Sequence, residues 1–238
     1  MFLRPLYRRP VTDTVTDESI IFITWAFYIT ILIYFLLPQL ILVIYVKINI
    51  TEKKFPLATI VPRERTLVDV TDKNNGNNKI KYQNAIIYFP GKILKINELN
   101  EEMHLVFDRK RTAVISEEIS DFKTIHPDLI NDVRIKTEYD LYNESLAMTP
   151  AQMSIFDSYE ESKRKSRLLS YKALYTSYGR NISKFKTKNI KGFQFGDPIV
   201  DDHVKLHIFD NNAEKHALVF SGFSQKEIDF SLISIKFD

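Results

Sequence analysis

The chain has 238 residues, a formal net charge of +3 and no cysteine. Disulfides, iron–sulfur clusters, zinc fingers and thiol nucleophiles are thereby excluded, and so small a charge supplies no concentrated basic face for nucleic acid. Phe, Tyr, Met, Ile, Asn and Lys account for 98 residues, against 35 for Gly, Ala, Arg and Pro, a bias that AT-rich genomes such as those of organelles, some protists and some small bacteria write.

Residues 1–18 form an N-terminal flank carrying Arg4, Arg8 and Arg9. A transmembrane helix is predicted over 19–48. From Ile20 to Val46 there are 27 residues without a charge, roughly 40 Å of helix against a hydrocarbon core of about 30 Å. Such a helix must tilt, kink or protrude, and Pro38 offers the kink by removing one backbone bond and crowding the carbonyl of Tyr34. Asp17, Glu18 and Ser19 are start signals, and Trp25 and Tyr45 suit the two interfaces. A cleaved signal peptide would have a shorter apolar stretch and a small-residue cleavage site. With no ionisable group inside, the helix carries no proton or ion by itself. Lys47, Lys53 and Lys54 balance the N-terminal arginines, and Arg63 and Arg65 tilt the soluble part towards the cytoplasmic or matrix side.

A β-rich soluble region is expected over 49–147. Short strands are predicted at 57–61, 66–70 and 79–89, with Asn75-Gly76 as the hairpin turn before the last, and residues 100–147 as irregular with brief strands. A long amphipathic helix is predicted over 148–182, with Thr149, Pro150 and Gln152 as a capping box and Gly179 as its stop. Its middle, residues 160–167, is polar all round, with Glu160–Arg164 and Glu161–Lys165 paired one turn apart. The C-terminal region, 183–238, reads as strands at 204–210, 215–223 and 230–237. The fold class expected is therefore a single-span membrane protein: one N-terminal transmembrane helix followed by an α+β soluble domain with antiparallel strands and one long helix.

Chemistry-bearing patterns are sparse. The metal candidates are His203, His207 and His216, with Asp201 and Asp202; a hairpin centred on Asn211–Asn212 would set His207 opposite His216. There is no phosphate loop and no G-x-S-x-G element, so no catalytic residues and no cofactor are assigned, and the chain is read as a non-enzyme.

The helix carries one likeness. Trp25, then Phe27 and Tyr28, then an apolar run closing on Phe35-Leu36-Leu37-Pro38-Gln39-Leu40, resembles the membrane helix of rotary ATP synthase subunit 8 and its bacterial relatives b and b-prime. The resemblance covers residues 20–42; beyond Val46 the chain departs from the long charged helix of the b type. It implies a non-catalytic subunit of a mitochondrial F-type ATP synthase, in the inner membrane, with the soluble domain on the matrix side. Trp25, Phe27, Tyr28, Pro38 and Gln39 would pack beside the proton-channel subunit and against lipids, next to the peripheral stalk. An accessory subunit of a respiratory-chain complex and a bacterial signal-anchored envelope protein are the alternatives left open.

Overall fold

The computed structural model describes residues 17–49, 59–68, 78–117, 132–176, 181–212 and 214–237. The first of these stretches is one continuous helix: α1 (Asp17–Ile31), a π turn (Leu32–Leu36) and α2 (Leu37–Asn49). The expected kink at Pro38 takes a particular form. Leu37 N–H bonds back to the carbonyl of Leu32, five residues earlier, so the ladder widens by one residue just before the ring that would otherwise collide with it.

The remainder is sheet-rich. An eight-stranded sheet runs in the order β1 (Arg63–Arg65), β7 (Ile182–Lys186), β8 (Lys191–Phe195), β9 (His203–Phe209), β10 (Lys215–Ser221), β6 (Thr112–Glu117), β5 (Glu102–Phe107), β4 (Ile93–Leu99). All its neighbours are antiparallel except β1 and β7. A smaller sheet orders β11 (Lys236–Phe237), β3 (Ala85–Phe89) and β2 (Asn78–Tyr82).

Register decides which residues fill which layer. Leu218 pairs with Leu206 and Ile115, and Leu206 with Gln194, so these side chains share one face. That face is covered by the small sheet and by α5 (Gln225–Ser234), burying Phe89, Phe107, Phe220, Ile228 and Leu232 in one cluster. Phe193, Phe195 and Phe209 point the other way, onto α3 (Glu138–Ala147) and α4 (Tyr159–Tyr175). There Tyr142 stacks on Tyr175 with ring centroids 3.8 Å apart. Gly192 has to be a glycine, because a Cβ there would lie 2.3 Å from the His207 carbonyl.

The end of the apolar helix seats on the outer side of this helical layer. Val43 is buried to 3% exposure, in one cluster with Ile135, Leu141, Met148, Met153, Leu168 and Leu169. The described chain is thus one N-terminal helix long and apolar enough to cross a membrane, joined to a sheet-rich part.

Several expected elements are replaced. The strand expected over 79–89 is a hairpin that turns at Gln83-Asn84, with Gln83 at φ 51°; the Asn75-Gly76 turn lies outside the described residues. Residues 59–61 and 66–68 are not strand, and the nearby pairing belongs to Arg63–Arg65 instead. Within 100–147 the brief strands expected are β5 and β6, and the part read as irregular also holds the helix α3, whose start is a capping box between Thr137 and Asp140.

The single helix expected over 148–182 is broken. Thr149 and Gln152 do form a capping box, but it opens only the 3₁₀ turn Pro150–Gln152. Ser154 and Asp157 then satisfy backbone N–H groups locally, and Ser158 caps α4 afresh. Its expected stop at Gly179 lies outside the described residues. Arg164 reaches Asp132 and Glu144, and Lys165 reaches Asp157, rather than forming the expected pairs with Glu160 and Glu161. The middle of α4 is therefore tied to other elements and is not a solvated face.

At the C-terminus the strand expected over 230–237 is mostly α5. Ser224 Oγ accepts from Glu227 N–H, and the Glu227 carboxylate accepts from Ser224 N–H at 2.8 Å, a box that starts a helix where the apolar pattern alone suggested alternation. Ser224→Ala removes that cap and is expected to cost about 1 kcal/mol. Chemical denaturation of the full chain in detergent measures it; no loss would mean that α5 is held by packing alone.

Candidate functional site

Among the described residues, the apolar helix holds the longest run of exposed large apolar side chains. Over Thr24–Tyr45 it is 22 residues long, roughly 33 Å at 1.5 Å per residue, which matches a hydrocarbon core. Trp25 is 64% and Tyr34 74% exposed. Phe27 and Tyr28 are equally bare and meet edge to face at 6.4 Å. Pro38 is exposed and Gln39 half-buried. Of the five positions read as packing residues, the chain itself partly covers only Gln39; a surface of this kind needs lipid or a neighbouring protein.

The three metal candidates are not brought together. His203 is exposed at the start of β9. His207 is fully buried on the helical face, its Nδ1 2.9 Å from the Tyr142 hydroxyl. His216 lies on the opposite face, its ring 5.0 Å from that of Phe237. The cause is one residue of register: His207 pairs with Ala217 and His216 with Ile208, and the turn closes from Asp210 N–H to Glu214 O. Asp201 instead caps a turn, accepting from Asp197 N–H at 2.7 Å.

Among the described residues, one group has ligand atoms all within 4.8 Å of one another, namely Asp210, Glu214 and His216. Its sequence signal is a carboxylate at each end of a tight hairpin with a histidine two residues beyond. Asp210 is already engaged, since its Oδ1 accepts from the N–H groups of Asn212 and Glu214, both at 2.8 Å. The carboxylate serves as the cap of the turn.

A cleft of about 330 Å³ opens between β1, β7 and β8, lined in part by Arg63, Arg65, Ser183, Gln194 and Gln225. Beneath it the Arg65 guanidinium pairs with Asp229 and donates to Gln194 Oε1 at 2.9 Å. Gln194 Nε2 donates to Gln225 Oε1 at 2.7 Å, and Gln225 Nε2 to Asp229 Oδ1 at 2.9 Å. These groups bond to one another, with Arg65 Nε left buried and without a hydrogen bond, and they lock α5 to the sheet, which is a structural arrangement. A second buried pair, Lys215 with Glu138 at 2.9 Å, ties α3 to β10.

Lys172 was invisible as a special residue in the sequence, although it shares a helical stripe with Leu168, Leu169 and Tyr175. It is fully buried, and its Nζ donates to the Met148 carbonyl at 2.6 Å. Burial lowers its pKa from the ordinary 10.5 to about 8. The unfolded chain therefore holds more protons than the folded one between pH 8 and 10.5, so stability rises with pH in that range. Tyr175, whose phenol burial raises above its ordinary 10, opposes this at higher pH. We expect denaturation midpoints to climb from pH 8 to pH 10, the Lys172 shift corresponding to about 3 kcal/mol. Lys172→Met should remove the rise and be more stable than the parent at pH 7. A flat parent profile would contradict this.

By its architecture the molecule is a sheet-rich, helix-backed unit carrying one apolar helix long enough to cross a membrane. No protein-family model, curated protein or solved structure matches the chain.

Proposed function

We propose that this protein is a non-catalytic, membrane-anchored subunit of a mitochondrial F-type ATP synthase. Its helix packs beside the proton-channel subunit in the inner membrane, and its sheet-rich part stands on the matrix side next to the peripheral stalk. The observation that carries the reading is the helix Thr24–Tyr45, uncharged and exposed nearly all round, yet seated at its end on the folded part through Val43. Such seating also argues against a cleaved leader, whose removal would uncover the cluster around Met153 and Leu169. The Trp25, Phe27-Tyr28 and Pro38-Gln39-Leu40 pattern supports the particular complex. The buried charges of the sheet-rich part, Arg65 with Asp229 and Lys215 with Glu138, hold elements together, which suits a scaffold.

Purification from native membranes in mild detergent tests it. Rotor-ring and catalytic-head subunits should accompany the protein in a stable preparation. Their absence ends the ATP synthase reading, and respiratory-chain subunits in their place would transfer the protein to that assembly.

A further inference from the structure

The turns ahead of α3 and α4, and the first residue of α4, hold apolar side chains in the open. Phe156 is 90% exposed and Val133 84%, and Ile155 and Tyr159 are about half exposed. The turn that carries Phe156 is not loose. Phe156 N–H donates to Ser154 Oγ at 3.1 Å, Ser154 N–H to Asp157 Oδ2 at 3.0 Å, and Lys165 pairs with Asp157 at 2.8 Å. A bulky ring is therefore presented to the surroundings by a fixed frame, at the full hydration cost of its apolar surface.

Its position relative to the helix gives the ring a use. Met153, three residues before Phe156, and Ile135, two after Val133, share a cluster with Val43. Val43 lies two residues before the end of the apolar stretch Thr24–Tyr45, about 3 Å along the axis. The cluster thus sits where the helix leaves the hydrocarbon, and its flanking apolar side chains stand beside that exit.

We propose that Phe156, with Ile155, Tyr159 and Val133, docks into the lipid headgroup and upper acyl region next to the helix. The helical layer α3–α4 then lies against the bilayer, and the protein has a second point of attachment that limits its tilt. This rests on the membrane-anchor reading above. A lipid surface is favoured over another chain because the exposed residues share their support with the anchor itself, and aromatic and aliphatic side chains at an interface gain from partial burial there.

Trp25 is the only tryptophan of the chain, which makes the test direct. The full-length Trp25→Phe, Phe156→Trp variant is reconstituted into phosphatidylcholine–cardiolipin vesicles with some phosphatidylcholine brominated near the headgroup end of its chains. Position 156 is almost fully exposed, so the exchange leaves the fold intact. Emission should be blue-shifted and quenched by the brominated lipid. Emission typical of water and indifferent to bromine overturns the proposal. The unaltered chain reports on the anchor: if Trp25 is quenched and position 156 is not, the docking surface fails while the anchor stands. If Trp25 itself is not quenched, both fail.

Discussion

Replacing Asp229 by alanine is expected to destabilise the protein by about 3 kcal/mol, because it strands a guanidinium beneath α5. Asp229 is buried; one carboxylate oxygen takes the Arg65 guanidinium and Gln225 Nε2 at 2.9 Å, and the other takes Val68 N–H at 3.1 Å. Alanine removes both acceptor oxygens, and with them all three bonds, at once. Arg65 is left over the Phe185 ring, 5.6 Å from its centroid, without its counterion. Asp229→Asn keeps one of the two acceptor oxygens and the side-chain volume, and should cost less than alanine. In the double variant Arg65→Met, Asp229→Leu the loss should be smaller than in Asp229→Ala alone, since neither partner is left unpaired. Denaturation of the parent and the three variants in the same detergent measures these differences; a double variant that loses as much as Asp229→Ala would show that the unpaired guanidinium is not what costs.

Phe193→Ala is expected to cost about 3–5 kcal/mol, the range for an aromatic ring removed from a core that cannot collapse around the gap. Phe193 is fully buried, its ring 5.5 Å from that of Tyr139 and 5.9 Å from that of Tyr142. The site is braced on one side by the backbone of β8 and on the other by the Tyr142–Tyr175 stack. Phe156→Ala is the matched control: with its ring in the open, it should change stability in detergent by no more than about 0.5 kcal/mol. Equal losses for the two variants would contradict the assignment of the core.

The apolar helix was the most legible part of the sequence, because a 27-residue uncharged run admits few other readings. The strands β9 and β10 were also legible, from their β-branched, aromatic-rich runs around Asn211–Asn212. The misreadings share a cause. The strand expected at 230–237 followed apolar alternation and overlooked Ser224 and Glu227, a capping box six residues upstream. The over-long helix at 148–182 gave the Thr149 box priority over Ser154, Asp157 and Ser158, whose side chains compete for the same backbone donors. Local capping chemistry outweighed periodicity in both places.

The histidine constellation failed for a different reason. Its geometry turned on one residue of register between β9 and β10, and such a shift exchanges the faces of a strand. The buried pair Glu138–Lys215 and the Arg65–Asp229 network join elements 77 and 164 residues apart, separations at which sequence pattern carries no pairing information.

The most direct test of the anchor uses the absence of cysteine, which lets single thiols be placed without background. Tyr34→Cys sits in the middle of the apolar helix and Glu98→Cys on the exposed rim of β4. In sealed proteoliposomes, a membrane-impermeant maleimide should leave the thiol at position 34 unlabelled until detergent is added, because a thiol in hydrocarbon does not ionise. The thiol at position 98 should label at once in the outward-facing population. Labelling of both positions at similar rates without detergent would contradict a membrane-spanning helix.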